Sequence, residues 1–295
     1  MKTKITALIL SGGGAKGAFQ IGVEKYAREV KGYHWDIISG VSVGALNAGM
    51  LAMGKTQRLF ELWNNLQEDQ ITRGRLNFIS IIKLLLGKKA YASNKPLQDL
   101  IADEFEPEKI ICDLRVGSVS LVSGEYIRFR TGYPKLAEAV LASTALPLVW
   151  EPVDLSPECL AMVDGGIRNI TPIGDVLDTN PDEIIIINCS PQAPTPLLVA
   201  PKNAMEIGLR SIDLMMNEIF QNDQREFLRI NALVKEAAEY GVILHHPGSG
   251  RAYKSFRCHI IEPTSPLGDT LDFSQEAIQH SLRMGIKRAR EVLGR

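Results

Sequence analysis

Three short runs of the 295-residue chain hold residue types that could do chemistry together: LILSGGGAKGAFQIGV from Leu8, ISGVSVGALNAG from Ile38, and AMVDGG from Ala161. In the first, Gly12, Gly14 and Gly17 fit the pattern GxGxxG between a strand-forming apolar run and a segment with helical spacing. Backbone amides of a glycine-rich loop that opens a helix bind anions. Two anions suit such a loop: the pyrophosphate of a dinucleotide, or the oxyanion of an acyl transfer. A dinucleotide site also needs an acidic residue near the end of the second strand. Asp36 sits at the start of that strand, and its far end reads ISGVS. The loop alone leaves both readings open.

The second run contains Gly40, Val41, Ser42, Val43 and Gly44, a GxSxG sequence between an apolar strand and a helical segment. This is the context of a nucleophile elbow, where the serine occupies a strained strand-to-helix turn and small flanking residues let neighbouring backbone pass. The two runs make chemical sense together. A serine attacking an ester turns the carbonyl oxygen into an anion, which the amides of Gly12, Gly13 and Gly14 could hold; one such donor is worth about 3 kcal/mol in the transition state. Lys16 either adds positive charge beside this loop or faces solvent.

Serine needs a base to take its proton. The histidines are His34, His245, His246, His259 and His280, of which only those after Asp164 suit the usual hydrolase order of serine, acid, histidine. His245 and His246 adjoin the loop-like HPGSGR, and His259 lies in a strand. Asp164 is better placed, at the end of a short apolar run where Gly165 and Gly166 permit close backbone approach. It either serves Ser42 directly or forms an Asx turn. A free aspartate, with a pKa of about 3.9, is a weak base, so the first role requires desolvation.

The elements that must position these residues follow from periodicity. Ile5 to Ser11, Asp36 to Gly40 and Glu183 to Asn188 read as buried strands, and Ala15 to Val30 and Val43 to Met53 as helices. Residues 56–110 read as mostly helical and suggest a cap. VGSVSLVSGEYIRFR alternates every second residue around Ser123 and Gly124, which predicts a hairpin. Leu136 to Ala145 reads as a helix, Leu160 to Val163 as a short strand, Ala204 to Tyr240 as one long or broken helix, Arg257 to Ile261 as a last strand, and Ser274 to Leu293 as a closing helix. Strands alternating with helices predict an α/β fold with a mostly parallel sheet, and the absence of a repeat or linker predicts one domain over residues 1–295.

Composition narrows the function classes. An apolar fraction of 45% supplies a sizeable core, and a formal net charge of -1 provides no basic field to draw the chain onto nucleic acid. Cys112, Cys159, Cys189 and Cys258 form no CxxC pair and read as reduced, mostly buried thiols rather than a zinc site or disulfide framework. ITALIL after Lys2 and Lys4 is too short for a signal peptide and lacks a cleavage site; LNFISIIKLLLG is about half the length needed to span a bilayer. A cytoplasmic protein is expected.

GGGAKGA, GVSVG and DGG, in this order, resemble the patatin-like phospholipase family, and ISGVSVGALNAG, LASTALPLVW and DGGIRNITPI resemble the surroundings of its motifs. The likeness covers residues 5–175 and weakens beyond Pro191. It implies a patatin-like three-layer α/β fold with helices on both faces of the sheet. It further implies Ser42 as nucleophile and Asp164 as general base, with an oxyanion hole from Gly12, Gly13 and Gly14, and no catalytic histidine, metal or cofactor. Lys16, Gly17, Gly40, Gly44, Gly165 and Gly166 support these motifs. The implied reaction is calcium-independent, phospholipase A-type hydrolysis of lipid or phospholipid acyl esters through an acyl-enzyme. Patatin itself carries an aspartate before the triple glycine, where this chain has Ser11. The stretch 76–89, with Lys83, Lys88 and Lys89, reads either as an ordinary cap helix or as a lid that rests on lipid headgroups at the membrane periphery. Two rival functions remain: a dinucleotide-binding enzyme using the GxGxxG, and a catalytically silent lipid-binding protein.

Overall fold

The computed structural model describes residues 4–65, 95–194, 196–197, 199–202, 204–270 and 272–294. The 76–89 stretch lies outside these residues, as does the middle of the expected cap. Five parallel-running strands form the body of one sheet: β1 (Thr6–Leu10), β2 (Ile37–Gly40), β3 (Asp113–Ser120), β6 (Glu183–Ile187) and β7 (Arg257–Ile261). Two further strands, β4 (Tyr126–Arg130) and β5 (Met162–Asp164), pair antiparallel with β3. The order across the sheet is β4-β3-β2-β1-β6-β7, with β5 paired to β3 off that path.

The middle strands read as continuous apolar runs because both their faces are covered: TALIL of β1 and EIIII of β6 are buried at every position. Alternate residues serve opposite faces. Leu8, Leu10, Ile38, Leu114, Val116, Ile185 and Ile187 join one cluster with apolar residues of α1 (Gly17–Lys31), α2 (Val43–Ala52), α3 (Thr56–Asn64), α4 (Lys95–Glu104), α5 (Leu136–Ser143) and α7 (Gln275–Leu293). Ala7, Ile9, Ile37, Ile184 and Ile186 join a smaller cluster on the other face with Ile173, Val176 and Phe227. Phe227 belongs to α6 (Ala204–Glu239), which runs unbroken where its sequence left a break open. Helices therefore cover both faces, as expected.

Boundaries agree with the sequence reading to within one or two residues, with two refinements. The first helix is preceded by a 3-10 turn over Gly14–Lys16, and the short strand is Met162–Asp164, so it includes Asp164 itself. The hairpin forms as expected, and Ser274 caps α7 by accepting a bond from the Ala277 amide at 3.3 Å. The four thiols are free, but only Cys189 is buried and the other three are half-buried, which corrects the expectation of mostly buried thiols. Among the described residues no helix is long and apolar enough to cross a membrane.

Candidate active site

Strand order places the site. The chain moves outward from β1 through β2 to β3 on one side, whereas β6 lies on the other side of β1. The crevice at the carboxyl end of β1 is thus the switch point at which open α/β sheets receive ligands. Gly12, Gly13 and Gly14 leave β1 there, and Ser42 leaves the neighbouring β2.

Ser42 has φ 58° and ψ -130°, a conformation that a residue with a side chain adopts only under constraint. Close packing imposes it. A Cβ on Gly40 would overlap the Gly44 carbonyl, and one on Gly44 would overlap the Leu10 carbonyl, so neither flank tolerates a side chain. The buried Ser143 hydroxyl accepts the Ser42 amide at 3.0 Å, and Ser42 stands at the N-terminus of α2, where the helix favours negative charge. Ser42 itself is half-buried, between buried neighbours on both sides.

Asp164 reaches Ser42 through strand register. β2 ends with Gly40 opposite Val116, while β5 ends with Asp164 opposite Ser118 on the same edge of β3. β4 occupies the other edge, so β2 and β5 run towards each other and their ends meet. Asp164 is 1% exposed. Burial raises its pKa from 3.8 to about 6, partly offset by the nearby Ser42 side chain and by the hydrogen bond from the Gly166 amide. The Gly166 amide lies 2.8 Å from Oδ1. Asp164 therefore forms the Asx turn, with the Ser42 side chain nearby. The Asp164 amide in turn donates to the Ala145 carbonyl at 3.0 Å. The segment LASTALPLVW thus holds both residues, Ser42 through Ser143 and Asp164 through Ala145.

The glycine loop closes the third side. A Cβ on Gly12 would lie 3.1 Å from the Ser42 Cβ. Its amide, however, donates to the Ile170 carbonyl at 3.0 Å, which removes Gly12 from the expected set of oxyanion donors. Ala15 is likewise engaged, by the Thr270 carbonyl at 2.8 Å. The amides of Gly13 and Gly14, between them, make no hydrogen bond among the described residues. Lys16 is half-buried rather than fully solvent-facing, close enough to Cys189 to favour its thiolate, although burial still pushes that thiol up to about 12.

A buried amide network fixes the loop against the elbow. Gln20 Nε2 donates to the Ser11 carbonyl at 2.7 Å, Asn47 Nδ2 donates to the Gly17 carbonyl at 3.1 Å and to Gln20 Oε1 at 2.8 Å, and Trp63 Nε1 donates to Asn47 Oδ1 at 2.9 Å. Ser11, at the position where patatin carries an aspartate, accepts the Cys189 amide at 2.9 Å and bonds the loop to the end of β6. Sequence reasoning missed Gln20, Asn47, Ser143 and Ile170. Asn47 carried the one available signal, a polar residue inside the otherwise apolar VGALNAGMLA.

The histidines weighed as bases, and Asp36, are placed as follows. His259 on β7 bonds Glu183 at 3.1 Å, His246 accepts amides of its own loop, and His34 and His280 are exposed. Asp36 accepts the Thr6 amide at 2.8 Å, at the end of β1 opposite the glycine loop. Among the described residues no group of three or more His, Cys, Asp or Glu side chains could hold a metal ion.

Comparison with known proteins agrees with this geometry. The family model for patatin-like phospholipase matches residues 8–177, which contain the glycine loop, the serine elbow and the aspartate turn. An uncharacterized NTE family protein of Mycobacterium tuberculosis is 30% identical over 185 residues, 62% of this chain and 48% of that one. A cGAMP-activated phospholipase of Vibrio cholerae is 29% identical over 198 residues, 57% of this chain and 55% of that one. The matched region spans about half the length of these relatives. The match over residues 8–177 covers more than half of the chain, and the chain belongs to the patatin-like phospholipase family.

Proposed function

We propose that the protein is a serine acyl hydrolase that cleaves fatty acyl esters of lipids or phospholipids through Ser42 and Asp164. Family membership supports lipid hydrolysis as its chemistry. The observation that carries the dyad is the buried Asp164 carboxylate, raised to about 6 by burial and close enough to the Ser42 side chain for that hydroxyl to lower it in part. A carboxylate with a pKa near 6 is ionised at neutral pH and still a far better base than a free aspartate.

In the first half-reaction Asp164 takes the Ser42 proton as Oγ attacks the acyl carbon. The carbonyl π electrons move onto oxygen, where the unengaged amides of Gly13 and Gly14 and the N-terminus of α2 stabilise the charge. Collapse of the tetrahedral intermediate breaks the acyl C–O bond, and the leaving alcohol takes its proton from Asp164. In the second half-reaction water gives a proton to Asp164 and attacks the acyl-enzyme. Ser42 then departs with that proton, releasing the fatty acid and restoring both groups. The membrane periphery is the natural place for a substrate of this kind.

The test is release of fatty acid from mixed phospholipid vesicles, read by mass spectrometry for wild type and Ser42→Ala. Release by wild type that falls by at least about a thousandfold in Ser42→Ala supports the proposal. Vesicle binding without release would identify a catalytically silent lipid-binding protein. Stoichiometric NAD or NADP binding indifferent to Ser42 would identify the dinucleotide reading.

A further inference from the structure

A trans peptide unit is planar and points its N–H and its carbonyl in opposite directions, so a unit bonded at both ends is fixed in orientation. In the glycine loop that unit joins Ser11 to Gly12. Its carbonyl accepts Gln20 Nε2 at 2.7 Å, and its amide donates to the Ile170 carbonyl at 3.0 Å. The next two amides, those of Gly13 and Gly14, are the ones that make no hydrogen bond among the described residues. Glycine backbone turns freely, and Gly14 already sits at φ 57°. The direction in which these two amides point is therefore imposed from outside the loop.

The two ends of the clamp belong to different segments. Ile170 follows the aspartate turn, whereas Gln20 lies on α1 and is itself held from α2. Its Oε1 accepts Asn47 Nδ2 at 2.8 Å, and Asn47 Oδ1 accepts Trp63 Nε1 at 2.9 Å. Asn47 Nδ2 also donates to the Gly17 carbonyl at 3.1 Å, at the start of α1. Asn47 stands on the helix that Ser42 opens, so this chain of bonds ties the loop to the serine. Gln20 and Asn47 are both 0% exposed. Two amide side chains cost free energy in a core unless they are paired, and a paired network specifies one arrangement of the parts it joins.

We propose that Gln20, held by Asn47, is a positioning residue for the reaction: it fixes the Ser11–Gly12 peptide relative to Ser42 and so aims the Gly13 and Gly14 amides at the oxygen that gains charge. The proposal rests on the hydrolase reading above and adds to it the groups that set the geometry of its oxyanion hole. A misplacement of about 1 Å in such a site costs about a hundredfold in rate.

The test measures kcat and KM on p-nitrophenyl butyrate in wild type, Gln20→Met and Asn47→Leu, with the pH midpoint of kcat/KM. It adds the Ki of an alkyl trifluoromethyl ketone, whose adduct with serine carries the oxyanion. Unbranched Met fills the space of Gln20, and Asn47→Leu keeps the volume of Asn47 while removing its side-chain bonds. In Gln20→Met kcat should fall by at least about thirtyfold with KM within about twofold, and Ki should rise by a matching factor. The pH midpoint should stay at its wild-type value, because the base is untouched. A purely structural role lowers the active fraction and leaves Ki unchanged; that result in a folded variant would overturn the proposal, as would a kcat within about threefold of wild type. Circular dichroism identifies the folded variants, and if Asn47→Leu does not fold, Gln20→Met decides. Failure of the hydrolase reading looks different: wild type itself then cleaves no ester, and the proposal falls with it.

Discussion

Strand β3 carries two carboxylate settings, and they differ in burial and in partners. Near its start, Arg115 is fully buried and gathers acids around it. Its Nη2 meets Asp113 at 2.7 Å and its Nη1 meets Asp178 and the Asp175 carbonyl, while Arg130 adds a 3.1 Å contact to Asp113 and Arg128 a 3.3 Å contact to Asp178. Burial raises the pKa of Asp178, but the arginines outweigh it and hold that carboxyl below its ordinary value. Opposite Ser118, three residues beyond Arg115, Asp164 is buried with a hydroxyl and an amide as its polar neighbours among the described residues, and burial prevails. The exposed Asp178 is held ionised by guanidinium groups, whereas burial keeps Asp164 basic, as it does Asp175 even beside those arginines.

The largest expected effect breaks the contrast at its reactive end. Asp164→Asn keeps an acceptor for Ser42 and Gly166 but cannot take a proton, so esterase kcat/KM should fall by at least about a thousandfold. The same change should stabilise the fold. The folded pKa of Asp164, about 6, lies above its ordinary 3.8, so its contribution favours folding at low pH and is lost as pH rises through 6. Above that, ionising the buried carboxyl costs up to about 3 kcal/mol, which the asparagine avoids. Thermal denaturation should show a higher Tm for the variant at neutral pH and a shrinking advantage towards about pH 4.

Next comes the saturated end. Arg115→Met leaves the Asp113 and Asp178 carboxyl groups without their shared cation and should cost about 3 kcal/mol in urea unfolding. Its loss should grow, not shrink, as pH rises above the carboxylate range, the reverse of Asp164. The smallest effect belongs to Tyr126→Phe. The Tyr126 hydroxyl donates to Asp175 Oδ2 at 2.8 Å, and its removal should cost about 1 kcal/mol in the same assay.

The reactive end was far more legible in the sequence than the saturated one. Gly40, Gly44 and Gly165 announce close approach because only glycine fits there, and Ser42 and Asp164 stand at the ends of runs whose apolar character marks them as strands. Their meeting was not legible. It depends on β5 entering the sheet on the β2 edge of β3, a register settled by long-range pairing and not by local spacing. The loss of the Gly12 amide to Ile170 was hidden for the same reason, since the partner arrives from beyond the aspartate turn. Arg115 gave no signal in the sequence; its partners Asp175 and Asp178 lie between β5 and β6, a distance no periodicity reports.

The most direct test of the central claim is the rate at which a fluorophosphonate modifies the protein between about pH 4 and pH 8, with peptide mapping, for wild type and Asp164→Asn. A single adduct on Ser42, forming along a curve that rises with pH to a plateau with its midpoint near 6, and slow and flat in Asp164→Asn, is the predicted result. An adduct on another residue, or a profile that Asp164→Asn leaves unchanged, would contradict it.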